Sequence, residues 1–150
     1  MSKFPRHRYL FAALLLFSCS KITIAGCFVN VQDIAFGNYD AAEAVPRTTS
    51  AEYMINCRGQ VVATLELSSS NGIDGGRQRM MKHDSSSDSL YYNLFNDSGM
   101  SRPWGNGRQM PAPVVKIAGR KQGFIYGKVF ARQDVNPGQY SDSIRLTILP

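Results

Sequence analysis

The chain has 150 residues, of which 43% are hydrophobic and 19% are charged, and its formal net charge is +6. This length is enough for a single domain with one hydrophobic core. The basic residues are scattered along the chain and not clustered, so we expect no nucleic-acid partner. No apolar stretch after residue 17 approaches the length that is needed to span a membrane, so we expect no stable insertion into one.

The N-terminal segment has the features of a secretory signal peptide. Basic residues at positions 3, 6 and 8 precede the uncharged apolar run 9–17, which is shorter than the roughly 20 residues needed to span a membrane. Small residues at positions 18 and 20 predict cleavage after Ser20, and Ala25 is an alternative site. We therefore predict a signal peptide over residues 1–20 and an exported single domain over residues 21–150. Loss of the three basic residues would lower the net charge to about +3.

Two cysteines remain after this cleavage, Cys27 and Cys57. An even pair in an oxidising compartment predicts a disulfide between them. Free thiols and a metal site are the alternatives, but the one remaining histidine, His83, cannot complete a tetrahedral zinc shell with two cysteines unless carboxylates contribute. Lipidation of Cys27 is a further alternative, because residues 24–27 resemble a lipobox. We expect no metal and no cofactor.

Beyond the signal segment, the dominant hydrophobic period is two, as in half-buried β-strands. Alternating runs occur, in chain order, at residues 29–32, 52–58, 61–68, 90–94, 124–131 and 144–148. Turn signals separate them, at Gly37, Gly72, Gly75-Gly76, Gly105, Gly107, Gly119 and Pro137-Gly138. No stretch of helical length keeps a helical period. Short strands with frequent turns predict an all-β sandwich or barrel.

Residues with catalytic potential are few. His83 is followed by Asp84 and by serines 85–87, but a catalytic triad is defined by its geometry, and a solvated loop histidine is the simpler interpretation. Residues 105–107 lack the Lys-Ser/Thr pair of a phosphate-binding loop and predict a tight turn. Tyr92 and Trp104 are predicted to lie in the core and not on an exposed binding surface. We expect that the protein is not an enzyme.

Four segments of the chain, in this order, resemble spore coat protein U domains. The first consists of Cys27–Val31 and Ile34–Asp40, and the second consists of Tyr92–Asp97 and Trp104–Gly107. The third and fourth are the single ranges Tyr126–Arg132 and Val135–Ile144. The residues that carry the resemblance are Phe36, Gly37, Tyr39, Asp40, Tyr92, Leu94, Asp97, Trp104, Gly105, Gly107, Tyr126, Gly127, Pro137, Gly138, Tyr140 and Asp142. Cys57 lies where the family has the partner of its first cysteine, which agrees with a Cys27–Cys57 disulfide.

This family includes the pilins of archaic chaperone–usher fibres. The resemblance implies an immunoglobulin-like β-sandwich that lacks one strand. It implies three kinds of partner: a periplasmic pilus chaperone that first fills the gap, an outer-membrane usher, and other pilin subunits that donate a strand. The acceptor edge would lie at Ile144, Leu146 and Ile148, in the last alternating run. The chain would pass through the periplasm and end in an extracellular surface fibre.

The resemblance also bears on the position of this subunit in a fibre. Cleavage after Ser20 would leave residues 21–26 before Cys27, about 20 Å when extended, which is short for a donor strand. We therefore expect an adhesive subunit that accepts a strand but does not donate one, located at the fibre tip and serving attachment and biofilm formation. A secreted spore-coat or matrix protein and a monomeric lectin-like adhesin are the alternatives.

Overall fold

The computed structural model describes residues 26–75 and 77–150, which form β-strands and loops. The strands are β1 (Cys27–Val31), β2 (Arg47–Ser69), β3 (Ile73–Asp74), β4 (Gln78–His83), β5 (Ser89–Phe95), β6 (Val114–Val129), β7 (Tyr140–Ser141) and β8 (Ile144–Leu149). The all-β prediction is confirmed. The predicted signal peptide and its cleavage site lie outside the described residues. Within the described ranges, no helix could cross a membrane.

The eight strands form a single antiparallel sheet that curls into a half-barrel. The main order is β1-β2-β6-β5-β4-β3, with β7 added to β4 and β8 added to β2. All the pairs are antiparallel. Because strands carry an intrinsic twist, a sheet of this width curves and covers its own inner face. This curvature gives the layered, immunoglobulin-like arrangement that was expected from the resemblance.

Two strands are longer than the sequence pattern predicts. The runs 52–58 and 61–68 were expected to be separate strands, but both belong to β2, and Gly119 was expected to be in a turn but lies inside β6. The register between the two strands shifts between Asn56 and Gln60. Gly59 and Gly119, at this irregularity, have φ values of 85° and 74°. A positive φ serves a β-bulge as well as a turn, so these glycines bend the long ribbon without ending it.

The core lies on the concave face of the sheet. Alternate residues of β2 face inwards and meet alternate residues of β5 and β6. The aliphatic side chains that are 0% exposed are Ile55, Leu65, Leu67, Leu94, Ile117, Ile125 and Val129. Trp104 and Tyr92 are 1% and 2% exposed, so their prediction as core residues is confirmed. The indole N–H of Trp104 donates to the carbonyl of Leu65 at 2.7 Å, which satisfies its polar atom.

The predicted disulfide joins β1 to β2. Cys27 and Cys57 are directly opposite in the register of this strand pair, and their sulfur atoms are bonded. Cys57 is 5% exposed and belongs to the core, and Cys27 packs against it. The bond therefore fixes the start of β1 on the edge of the sheet.

Candidate strand-binding groove

One edge of the sheet is shared by β1 and β8, which lie end to end along β2. β1 pairs with residues 53–57 of β2, and β8 pairs with residues 64–69. Thr64 pairs with Leu149 of β8 and also with Val114 of β6, so β8 lies on the side of β2 opposite β6. Among residues 26–75 and 77–150, no strand pairs with the outer edge of β8.

The backbone of β8 presents hydrogen-bonding groups at this outer edge. The backbone N–H of Leu65 donates to the carbonyl of Pro113, on the side of β2 away from β8. In this half of β2, the backbone N–H and C=O groups of the odd-numbered residues therefore point away from β8, and those of the even-numbered residues point towards it. Backbone groups alternate in direction along an antiparallel strand. From the β2–β8 register, the N–H and C=O groups of Ile144, Leu146 and Ile148 therefore point outwards, to the free edge.

The side chains of these same three residues face the interior of the sheet. Ile144, Leu146 and Ile148 are half-buried and pack against the hydrophobic core. Each therefore has an apolar side chain that is only partly covered and a backbone that points to the open edge. An unpaired edge with apolar side chains beside it is a template for another strand.

A groove of about 480 Å³ lies beside β8. Its residues include apolar side chains from β2, β4 and β8 and the polar segment Ser141–Ser143. The apolar ones are Val31, Ile34, Phe36, Leu67, Met81, Ile144 and Leu146. A second cavity of about 790 Å³ adjoins it between residues 34–41 and 135–140. The two cavities share Ile34, Phe36, Met81 and Tyr140, so they are compartments of one groove.

The segment that follows β1 forms one wall of this groove. The ring of Phe36 packs edge-on against Tyr92, with 5.7 Å between the ring centroids. Tyr39 donates its hydroxyl to the carbonyl of Phe130 at 3.1 Å and accepts the N–H of Gln133 at 2.8 Å. These contacts hold the wall over β5 and the end of β6.

Asp142 lies at the polar end of the groove and accepts several hydrogen bonds. The Tyr92 hydroxyl donates to its carboxylate at 2.6 Å. Its other donors are the Ser69 hydroxyl, the Ser70 hydroxyl at 2.9 Å and the Asn71 N–H at 3.2 Å. Burial, together with the hydrogen bond to the Asp142 carboxylate, raises the pKa of Tyr92 above its usual value, so Tyr92 remains a neutral donor.

Arg79 is a charged residue of the core that was missed in the sequence. It is 0% exposed and donates to the carbonyls of Leu67 and Trp104 at 2.6 Å and 3.0 Å. Burial lowers the pKa of the guanidinium from its usual value, while Tyr92 and Asp142 act in the opposite direction. Among the described residues, its Nε and one terminal nitrogen have no hydrogen-bond partner. The sequence signal that could have identified it is its position two residues before Met81, which places both side chains on the same face of β4.

His83 is not the solvated loop residue that was predicted. Its side chain is 7% exposed, because it closes the end of β4 against Tyr140. Nδ1 accepts the N–H groups of Ser85 and Ser86, both at 3.0 Å, so Nε2 carries the proton that it donates to Pro137 at 3.1 Å. Both ring nitrogens are used in holding loops together.

Part of the family motif gathers around the groove. The members that line it are Phe36, Gly37, Tyr39, Asp40, Tyr92, Pro137, Gly138, Tyr140 and Asp142. Gly127 lies behind Phe36. These residues come from segments that are distant in the sequence, and the fold brings them together.

The other motif residues lie elsewhere and support the fold. Leu94 and Trp104 belong to the core, and Tyr126 lies beside Phe124 on the outer face of β6. Gly105 and Gly107 form the predicted tight turn, in which their N–H groups donate to Pro111 and Met110. Asp97 holds its own loop, through hydrogen bonds from Ser101 and Arg102. In the described part of the chain, no cluster of His, Cys, Asp or Glu side chains could hold a metal ion.

Comparison with known proteins gives a family match and two similar structures. Residues 13–147 match the family model of the Spore Coat Protein U domain. No curated protein matches the sequence. One similar chain belongs to the crystal structure of the CsuC-CsuE chaperone-tip adhesion subunit pre-assembly complex, from archaic chaperone-usher Csu pili of Acinetobacter baumannii. It is 21% identical, with a TM-score of 0.56, over 84% of the present chain and 40% of that chain.

The second similar structure is the E. coli Hda pilus minor tip subunit, HdaB. It is 14% identical, with a TM-score of 0.46, over 81% of the present chain and 79% of that chain. The match covers 40% of the length of the Csu chain, and the likeness to that chain is one of fold.

Proposed function

Because the chain belongs to the Spore Coat Protein U domain family, we propose that it is a structural subunit of a surface pilus assembled by a chaperone and an usher. The single observation that carries this proposal is the outer edge of β8, with which no strand of residues 26–75 and 77–150 pairs, together with the apolar groove beside it. A strand added there would pair with the backbone of Ile144, Leu146 and Ile148, and its alternate side chains would fill the groove.

The groove determines what kind of partner the subunit requires. Exposed in water, the free edge and its apolar side chains favour aggregation, so the subunit needs a strand supplied by another chain. We propose that a periplasmic pilus chaperone supplies it first, and that an outer-membrane usher then promotes its exchange for a strand of another pilin. The fold likeness to a chain from a chaperone–subunit complex supports this order of partners. The role is structural and requires no catalytic group or cofactor.

We propose a tip position for this subunit, with a role in attachment and biofilm formation. The similar Csu structure contains a tip adhesion subunit, which supports this placement. The predicted cleavage after Ser20, which would leave a short arm before Cys27, supports it as well. The subunit would then accept a strand at β8 without donating one of comparable length.

Co-purification with a chaperone tests the proposal. The full chain with an affinity tag would be produced in the periplasm together with an archaic pilus chaperone, as wild type, L146E and T147E. Leu146 faces the groove, and Thr147 is the next residue on the opposite face of β8. Wild type and T147E are expected to retain the chaperone. L146E is expected to lose it, because a carboxylate in an apolar groove is strongly disfavoured.

Circular dichroism and disulfide mapping of the three proteins provide the control for folding. A folded L146E without chaperone supports the groove as the binding site. Equal chaperone recovery for L146E and T147E would show that binding occurs elsewhere. A wild-type chain that is recovered as a stable monomer, with no chaperone attached, would overturn the proposed function.

A further inference from the structure

We propose that Asp142 is a positioning residue for strand acceptance: it anchors the start of β8 so that the acceptor edge keeps its place while the groove is empty. This inference rests on the proposed function. Asp142 lies two residues before Ile144, the first residue of the acceptor edge, at the junction between β7 and β8.

The hydrogen bonds of Asp142 join segments that are distant in the chain. Ser69, Ser70 and Asn71, at the end of β2, donate to the carboxylate through two hydroxyls and one backbone N–H. Tyr92, from β5, donates to it at 2.6 Å. A single carboxylate therefore links β2, β5 and the start of β8. Hydrogen bonds to an ionised acceptor are the stronger ones.

Further hydrogen bonds at the junction act around this anchor. Asn71 donates its side-chain amide to the carbonyls of Ser141 and Met80, at 3.0 Å and 3.2 Å. Ser70 and Ser143 exchange two bonds: the Ser70 N–H donates to the Ser143 carbonyl, and the Ser143 N–H donates to the Ser70 hydroxyl. The junction is thus tied to β2 and β4, and Asp142 adds the link to β5.

β8 needs such an anchor because, among the strands of the described ranges, it pairs only with β2. It is a strand of six residues at the rim of the sheet. A short two-stranded ladder is marginally stable by itself. If β8 separates from β2, the backbone of Ile144, Leu146 and Ile148 no longer forms a continuous edge for an incoming strand. The apparent affinity for a donor then falls in proportion to the fraction of molecules in which β8 is in place.

The substitution D142N separates the charge from the shape of the side chain. Asparagine keeps one acceptor oxygen but replaces the other with an NH₂ group. The NH₂ group is a donor, and it would face the hydroxyls of Tyr92 and Ser69, which donate hydrogen bonds to the carboxylate in the wild type. D97N is the matched control, because Asp97 also accepts several hydrogen bonds, from Ser101 and Arg102, but in a loop outside the groove.

The experiment has two measurements on the refolded, disulfide-bonded chain. The first is binding of a synthetic peptide of alternating valine and threonine residues. D142N is expected to weaken this binding roughly ten- to hundredfold, as for the loss of hydrogen bonds to a charged group, and D97N to change it less than about threefold. The second is amide exchange of the free chain, in which D142N is expected to accelerate exchange in β8 relative to β2 and β6.

The two measurements distinguish the possible failures. If wild type binds no donor peptide, the proposed function fails, and amide exchange of the free chain still tests the anchor. The inference is overturned if D142N leaves β8 exchange and peptide binding as in wild type. It is also overturned if D97N weakens binding as much as D142N, or if D142N accelerates exchange evenly over all strands, since Asp142 would then support stability in general. A second variant, S69A/S70A, should reproduce the D142N effect in part.

Discussion

The ring of Phe36 lies directly against the backbone of Gly127. A Cβ atom at Gly127 would come within 2.7 Å of the far end of this ring and within 3.3 Å of the Thr49 side chain. Because Phe36 forms part of the groove wall and packs on Tyr92, the absence of a side chain at Gly127 allows the wall to sit close to β6.

Replacement of Gly127 by alanine is expected to displace Phe36 and weaken the domain. Overpacking of this kind costs about 1–3 kcal/mol, and unfolding in urea measures it. Gly26→Ala is the matched control, because no atom of the described residues, its chain neighbours aside, lies within 4 Å of a Cβ at that position, and its urea midpoint should match wild type. Replacement of the Phe36 ring by the smaller leucine side chain (F36L) should recover part of the lost stability in a double-mutant cycle. If G127A and G26A unfold alike, the contact has no energetic importance.

Reduction of the Cys27–Cys57 disulfide is expected to destabilise the domain markedly. The two residues are separated by 30 positions. A disulfide that closes a loop of that length lowers the entropy of the unfolded chain and so raises the free energy of unfolding by roughly 3–4 kcal/mol. Urea unfolding with and without reductant would show the difference, and a C27S/C57S double variant should be insensitive to reductant. Equal midpoints for oxidised and reduced wild type would contradict the prediction, as would free thiols in peptide maps of the non-reduced protein.

The loop held by Asp97 is expected to lose stability in acid. Partial desolvation alone would raise the pKa of Asp97, but hydrogen bonds from the Ser101 hydroxyl and from the Arg102 and Ser101 N–H groups lower it below its usual value. A carboxyl whose pKa is lower in the folded state contributes stability above its unfolded pKa, about 3.9, and loses it as the pH falls through the folded pKa. Urea midpoints measured against pH should therefore fall less steeply below about pH 4 in D97N than in wild type. Parallel profiles would exclude this contribution.

Much of the fold could be predicted where one face of a strand is apolar and the other polar. The run that contains Leu90, Tyr92 and Leu94 forms β5, and the run at the chain end forms β8. β4 was not predicted, because its core face carries Arg79, and a charged residue at a buried position breaks the apolar alternation. Gly59 and Gly119 illustrate a different limit: a glycine in the sequence does not distinguish a turn from a bulge.

The candidate groove could be predicted only in part. Ile144, Leu146 and Ile148 were identified through alternation and resemblance, and their backbone direction follows from the β2–β8 register. The anchoring contacts of Asp142 could not be predicted, because they join residues 50–73 positions apart. The structural role of His83 was also missed, since it depends on Pro137 and Tyr140, which reach it only through the pairing of β7 with β4.

Residue-resolved amide exchange in the presence of a donor peptide tests the central proposal, that β8 accepts a strand from another chain. The free chain would be compared with the chain bound to the alternating valine–threonine peptide, and with the chain mixed with a peptide of the same composition in which the valines are consecutive. We expect the amides of Ile144, Leu146 and Ile148 to gain protection with the alternating peptide alone. Arg145 and Thr147 already bond to β2 and should change little. Bound peptide with no added protection at those three amides would contradict the account.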